Sequence, residues 1–521
     1  MKPKLMALLA GAVVMTILLT GYQPVIAASS GELKLAQSNW GNGVSIPRFE
    51  RSIGLDWLKL LYDPLVGTTA DGRLSREHGL ATNWEMSPDG LTWTFHIRKG
   101  VKFHDGVELT AKDVKFSMEQ MMLPDSTSSL SDELRKFIRL MEIKQPYTLV
   151  IHCKKPAIFL HSNFTDLESS GGLIIPKDYY EKVGKDQFMK KPIGTGPYKW
   201  QSQVVDSYIK LEATEKHWRD GTPRYKYVTF LNVPEESTRI AMLRTGEADI
   251  TRISRANIKE VQNAGLNVIS KKDSAAIVFY LLMQWATPAF SDLRFRKAIN
   301  LAIDRDAIVK NILDGGGTSI AGYPGNNIFA CGGDPNLKPY PYAPQEAVRL
   351  IKEGGYEGHE FTVASFPRDG VPECPQVVET LVGYWQKIGL KPKILMTEWS
   401  TVRSSWRAQK VQNSVCGYEE KSNPECGSLL VRMEDKYVST EPRAIVKDPK
   451  LDEWFKKASS TLNLGEVEKI LGEVYRYTYD QHITIPISMV NDEIAFTKRV
   501  PKWDPGQRRD DRNYNDIIRQ R

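Results

Sequence analysis

Hydrophobic and polar positions change period several times along the chain, and each change marks an element. Leu33 to Asn39 alternates and predicts a first strand. Trp57 to Leu61 puts apolar residues on a helical face that stops near Pro64. Ser87-Pro88-Asp89-Gly90 is a turn, in which proline presets one backbone angle and glycine tolerates a positive one. Trp93, Phe95 and Ile97 then alternate with Thr94, His96 and Arg98, the pattern of a half-buried strand. Thr110 and Asp113 form a capping box, opening a helix that presents Val114, Met118 and Met121 on one face.

The second half reads as alternating strands and helices. Ile277 to Met283 is a continuous apolar run, as in a strand buried on both faces. Phe295, Ala298, Ile299, Ala302 and Ile303 share a helical face, and Asp304 caps the next helix. Phe361–Phe366, Val377–Ile388 and Leu390–Met396 read as strand, helix and strand, which is a parallel crossover unit. Ile483 to Phe496 contains Pro486 and reads as a strand returning through a turn. The fold class is therefore α/β, and 521 residues are too many for one hydrophobic core.

The N-terminus sets the compartment. Lys2 and Lys4 precede an uncharged apolar stretch from Leu5 to Thr20, and Val25-Ile26-Ala27 supplies small residues for cleavage. Residues 1–27 read as a secretory signal, with an apolar run short of the about 20 residues that span a bilayer. Leu19-Thr20-Gly21-Tyr22 has tyrosine where a lipid-attachment cysteine would stand, so a soluble periplasmic protein is expected. The formal charge of +7 falls by two with Lys2 and Lys4, too small an excess to suggest nucleic acid. Cys416 with Cys426, and Cys331 with Cys374, are candidate disulfides in an oxidising compartment, and Cys153 reads as a buried thiol.

Catalytic and metal patterns are missing from the sequence. There is no G-x-S-x-G elbow, no H-E-x-x-H and no phosphate-cradling G-x-x-x-x-G-K-[ST]. The eight histidines form no spaced pair, and His104 in Phe103-His104-Asp105-Gly106 reads as structural. No cofactor, no metal and no enzymatic activity are expected, with a secreted hydrolase as the remote alternative.

An ordered series of motifs resembles the peptide- and nickel-binding family of solute-binding proteins that serve ABC importers. It comprises Leu61-Tyr62-Asp63-Pro64-Leu65, Leu80 to Glu85, Asp89-Gly90, Phe103 to Gly106 and Thr110 to Val114. It continues through Gly194-Thr195-Gly196-Pro197-Tyr198, Arg294 to Ile299, Ala302 to Arg305 and Tyr342 to Tyr356. The resemblance implies a two-lobed periplasmic-binding-protein fold with an extra subdomain inserted in the N-terminal lobe. Lobe I would be 28–275, with 60–169 inserted and 491–521 completing it, and lobe II would be 276–490. A monomer is expected, which captures a peptide or similar small solute and delivers it to the permease subunits.

The same resemblance places the ligand at Ser38, Asn39 and Trp40, at Gln284 and Trp285, and along Trp399–Arg407 and Cys416–Glu420. Trp40, Trp285 and Trp406 would be apolar walls, each with a core residue as the alternative. Arg403 or Arg407 would pair with an anionic group through the planar guanidinium fork. Peptide binders of the family carry an aspartate for the peptide ammonium in a loop of lobe II. Here the region reads Val415-Cys416-Gly417-Tyr418-Glu419-Glu420 and then Lys421-Ser422-Asn423-Pro424, without aspartate. Tyr418 and Glu419 are the candidates there, with Glu420 as the other carboxylate. An opine, a sugar derivative or a metal chelate is the alternative ligand.

Overall fold

The computed structural model describes residues 31–38, 45–49, 55–69, 73–128, 130–166, 170–281, 288–322, 334, 336–366, 371–408, 410, 414–420, 426–503 and 518. The expected signal segment lies outside them. Among the described residues, no helix is long and apolar enough to cross a membrane.

An 11-stranded mixed sheet runs through the molecule. Two long antiparallel strands, Asn267–Leu281 and Thr484–Phe496, form its middle. On one side the order continues through Ile250–Ile253, Glu32–Gln37, Tyr227–Asn232, Tyr208–Ala213 and Tyr198–Val204. On the other it continues through Ser414–Glu420, Glu360–Ser365 and Lys391–Met396.

Each long strand serves two cores. Ile494 and Phe496 pack with Leu33, Leu35 and Phe230 in the N-terminal half. Ile485 and Ile487 pack with Phe279, Phe295 and Trp385 in the other. The change of core falls where the register slips: Lys271 faces Asp492, but Ala275 already faces Val490. Extra residues on one strand force a bend and stronger twist.

Pro486 corrects one expectation. Thr484–Phe496 runs as one strand of 13 residues, without the turn expected around that proline. Pro486 pairs with Val278 beside a second register shift, between Ile277 and Val278. Proline lacks an N–H, and an irregular rung of the ladder tolerates that.

A second, four-stranded sheet has the order Ala81–Met86, Thr92–Ile97, Thr148–Cys153, Ile138–Gln145. Trp93, Phe95 and Ile97 point into its core with Ile151, Met118 and Leu134. The helix Ala111–Met121 covers this core, its first turn fixed by the Thr110 N–H donating to Asp113 Oδ2 at 2.9 Å. Cys153 is a buried free thiol there, and burial pushes it up to about 11.

Gly194 and Gly196 dock this region onto the first half. A Cβ at Gly194 would lie 2.1 Å from the Leu61 carbonyl oxygen, and one at Gly196 2.4 Å from that of Leu60. His104 braces the same turn, accepting from the Gly194 N–H at 3.1 Å through Nδ1 and donating to Gly196 O at 2.9 Å. It is structural, as its sequence context suggested.

Candidate functional site

Ligands of α/β proteins bind outside the carboxyl ends of parallel strands, because side chains and loops converge there without ladder bonds to make. In the first half, Glu32–Gln37 is parallel to Tyr227–Asn232 and to Ile250–Ile253. Their carboxyl ends are Gln37, Asn232 and Ile253, and Ile253 pairs with Glu493 next to the bend. In the second half, Glu360–Ser365 is parallel to Lys391–Met396 and to Ser414–Glu420. The last of these ends at Glu420 opposite Ala276, again next to the bend. The two sets of carboxyl ends therefore face each other across Lys271–Ala275. That junction is the candidate cleft.

Several expected contacts fall on this line. Ser38 directly follows the carboxyl end at Gln37, while Asn39 and Trp40 lie outside the described residues. Tyr418 pairs with Val278 and Glu419 with Ile277, which puts both at the junction end of their strand. Arg403 sits on the helix Trp399–Arg407, which follows the carboxyl end at Met396.

Others stand elsewhere or fall outside the description. Gln284 and Trp285 are outside it, and Leu281 before them pairs with Val415, at the far end of Ser414–Glu420. Trp406 is fully buried, its ring centroid 5.9 Å from that of Tyr280 and 5.5 Å from the Lys436 ammonium. Its Nε1 has no hydrogen-bond partner among the described residues. Arg407, one residue on, is exposed. Cys374 is buried at the start of the helix Cys374–Lys387, and its expected partner Cys331 lies outside the described residues. Cys416 pairs with Tyr280 along the strand, and Cys426 opens the helix Cys426–Tyr437; their side chains are not described.

Sequence reasoning missed the charged girdle around the bend. Arg255 donates to Glu373 at 2.8 Å, and Arg252 to Asp492 at 2.6 Å. Ser270 donates to Glu493, whose carboxyl burial pushes up while that bond draws it down. Arg255 and Glu373 are 118 positions apart, so no local pattern links them.

A second buried polar group lies away from the cleft. Asp63 Oδ2 accepts from Thr195 Oγ1 at 2.9 Å, His217 Nε2 at 3.0 Å and Trp218 Nε1 at 2.8 Å. His217 Nδ1 faces Asp220 at 2.9 Å. With carboxylates against both ring nitrogens, this imidazole has no free nitrogen to act as a base. Among the described residues, no three His, Cys, Asp or Glu side chains are grouped to hold a metal.

Comparison with known proteins agrees with this fold. Residues 77–424 match the model of the bacterial extracellular solute-binding proteins, family 5 Middle, which is more than half of the chain. Heme-binding protein A of Haemophilus influenzae is 26% identical over 437 residues, covering 80% of this chain and 79% of that protein. The glutathione-binding protein GsiB of Salmonella choleraesuis is 30% identical over 342 residues. That match covers 64% of each chain, just under two thirds of the relative's length. A periplasmic binding protein of Helicobacter pylori associated with an ABC transporter, solved with the peptide STSA, superposes with a TM-score of 0.76. It covers 94% of this chain and 98% of its own at 22% identity, and it has the same two-lobed α/β fold. The chain belongs to the bacterial extracellular solute-binding proteins of family 5.

Proposed function

We propose that the protein captures a peptide, or a solute of similar size, between two lobes and presents it to the permease of an ABC importer. The observation that carries this reading is the convergence of two sets of strand carboxyl ends on one junction, spanned by two strands that bend there. A solute touching both halves stabilises the closed arrangement by its differential affinity. Lobe I is 28–275 completed by 491–521, with 60–169 inserted, and lobe II is 276–490. The contacts we assign to the solute from the family resemblance are Asn39 and Trp40 in lobe I and Arg403, Tyr418 and Glu419 in lobe II. Transport does not require turnover, and the buried Asp63–His217 group offers no base to a substrate. The protein acts in the periplasm as a monomer.

Peptide is favoured because glutathione and STSA, named with two of the similar proteins, are peptides. A second reading, heme or another non-peptide solute, is favoured by the lack of aspartate between Val415 and Pro424.

Thermal unfolding of the refolded mature chain with short peptides, glutathione, heme, opines and metal chelates separates the two. A ligand at a hundredfold excess over its dissociation constant adds about 2.7 kcal/mol to stability, and so raises the midpoint. Shifts with peptides that weaken in Glu419→Gln support the peptide reading. Shifts with heme or a chelate alone replace it with the second. Reproducible cleavage of any of these compounds overturns the transport role.

A further inference from the structure

The four-stranded subdomain touches more than the half it is inserted in. Ile158, five residues after its strand Thr148–Cys153, is 9% exposed and packs with Leu430, Met433, Phe455 and Ala458 of the second half. Met86 and Phe159 flank it on the same apolar surface. At the Ser87–Gly90 turn, a Cβ on Gly90 would lie 2.5 Å from Leu462 Cδ2. Lys136 Nζ reaches Glu441 Oε1 at 3.4 Å, across 305 positions of sequence.

Solvent reaches into this seam. A small crevice of about 30 Å³, open to solvent, is lined by Glu133, Phe137 and Ile158 from the subdomain and by Leu430, Glu434 and Ser459 from the second half. Burial raises the Glu434 carboxyl, while Lys136 and Lys155 act in the opposite direction. Apolar contacts centred on Ile158, a half-exposed ion pair and a solvent-filled crevice describe surfaces that meet and part.

We propose that this seam is a clasp, by which the inserted subdomain closes onto the helices Cys426–Tyr437 and Pro449–Ala458 without solute and releases them when the halves swing apart at Lys271–Ala275. The clasp rests on the reading of the chain as a two-lobed binding protein, and it sets how closed the empty protein is. Solute contacts at the strand ends then add to a bias that is already present.

Small-angle X-ray scattering of the refolded, solute-free chain tests this without any ligand. The wild type is expected to populate closed and open forms together. Ile158→Ser removes the anchor and is expected to lower the closed-to-open ratio at least about tenfold, seen as a larger radius of gyration. Lys136→Glu shifts the ratio in the same direction, and Lys136→Glu with Glu441→Lys restores it. Should Ile158→Ser fail to fold, Leu462→Asp, at a position 37% exposed, probes the same seam. Identical scattering from wild type and variants overturns the clasp, as does a wild type wholly open without solute, or a charge swap that does not restore closure. A solute panel that shifts nothing would count against the transport reading and leave these scattering results standing.

Discussion

Arg255 Nη1 and Glu373 Oε2 stand 2.8 Å apart with 3% and 11% of their side chains exposed, one from each half of the molecule. Arg255 lies on the 3-10 turn Arg255–Asn257 after the strand Ile250–Ile253, and Glu373 directly precedes the helix Cys374–Lys387. The guanidinium also donates to Gly316 O at 3.3 Å and to Asn491 O. A Cβ at Gly316 would sit 2.6 Å from Arg255 Cδ, so that backbone is open for the arginine stem. The pair pins the two halves beside the bend.

Removing one partner of a buried pair leaves an uncompensated charge and costs about 3–5 kcal/mol. Arg255→Ala is expected to fall in that range by urea unfolding. Glu373→Gln is expected to cost less, because its amide oxygen still accepts a hydrogen bond. Arg255→Met with Glu373→Leu should recover part of the loss, since no charge is then left alone. A loss under about 1 kcal/mol for Arg255→Ala would mean that water replaces the pair without cost.

Gly194 gives a steric prediction. A methyl group there would sit 2.1 Å from Leu61 O and 2.5 Å from the Tyr62 ring, and the first is backbone that cannot rotate away. Gly194→Ala is expected to destabilise by about 1–3 kcal/mol, the usual cost of overpacking. Thermal unfolding reads this as a lowered midpoint, and an unchanged midpoint would show that the turn relaxes freely.

Most elements were legible because they are local. The capping box at Thr110, the alternation of Trp93, Phe95 and Ile97, and the Asp304 cap each depend on residues a few positions apart. Asp304 Oδ1 accepts from the Ala307 N–H at 2.9 Å, three residues on. Thr484–Phe496 was misread because proline usually ends a strand, and only its partner strand supplies the irregular rung that admits it. Of the site, the resemblance put Ser38 at the end of the first strand, but it put Cys416–Glu420 on a loop, and that segment belongs to the strand Ser414–Glu420. The Arg255–Glu373 pair and the seam at Ile158 join segments distant in sequence, where no period or turn signal reaches. Trp406 shows the same limit: a tryptophan on a helix reads alike whether it walls a cleft or fills a core.

The Asp63–His217 group predicts how stability depends on pH. Burial alone lowers the His217 imidazolium, but the charges of Asp63 and Asp220 outweigh it and hold the group up to about 9. Burial alone raises the Asp63 carboxyl, but the His217 charge and hydrogen bond outweigh it and draw it down to about 2. A histidine raised in the folded state stabilises fully below its ordinary value of 6.5, and that contribution is lost as pH rises through about 9. A carboxylate lowered in the folded state stabilises fully above its ordinary 3.8, and that contribution is lost as pH falls through about 2. The pair therefore contributes most between the two ordinary values, 3.8 and 6.5, and less on either side. His217→Gln keeps a polar group in the site but removes the titration. Its stability deficit relative to the wild type is expected to be largest near pH 6 and to shrink steadily toward pH 9. Urea unfolding of both chains across that range measures the deficit directly. A deficit that stays constant from pH 6 to 9 would mean that His217 is neutral in the folded protein, and that the carboxylates at its two nitrogens do not hold a proton there.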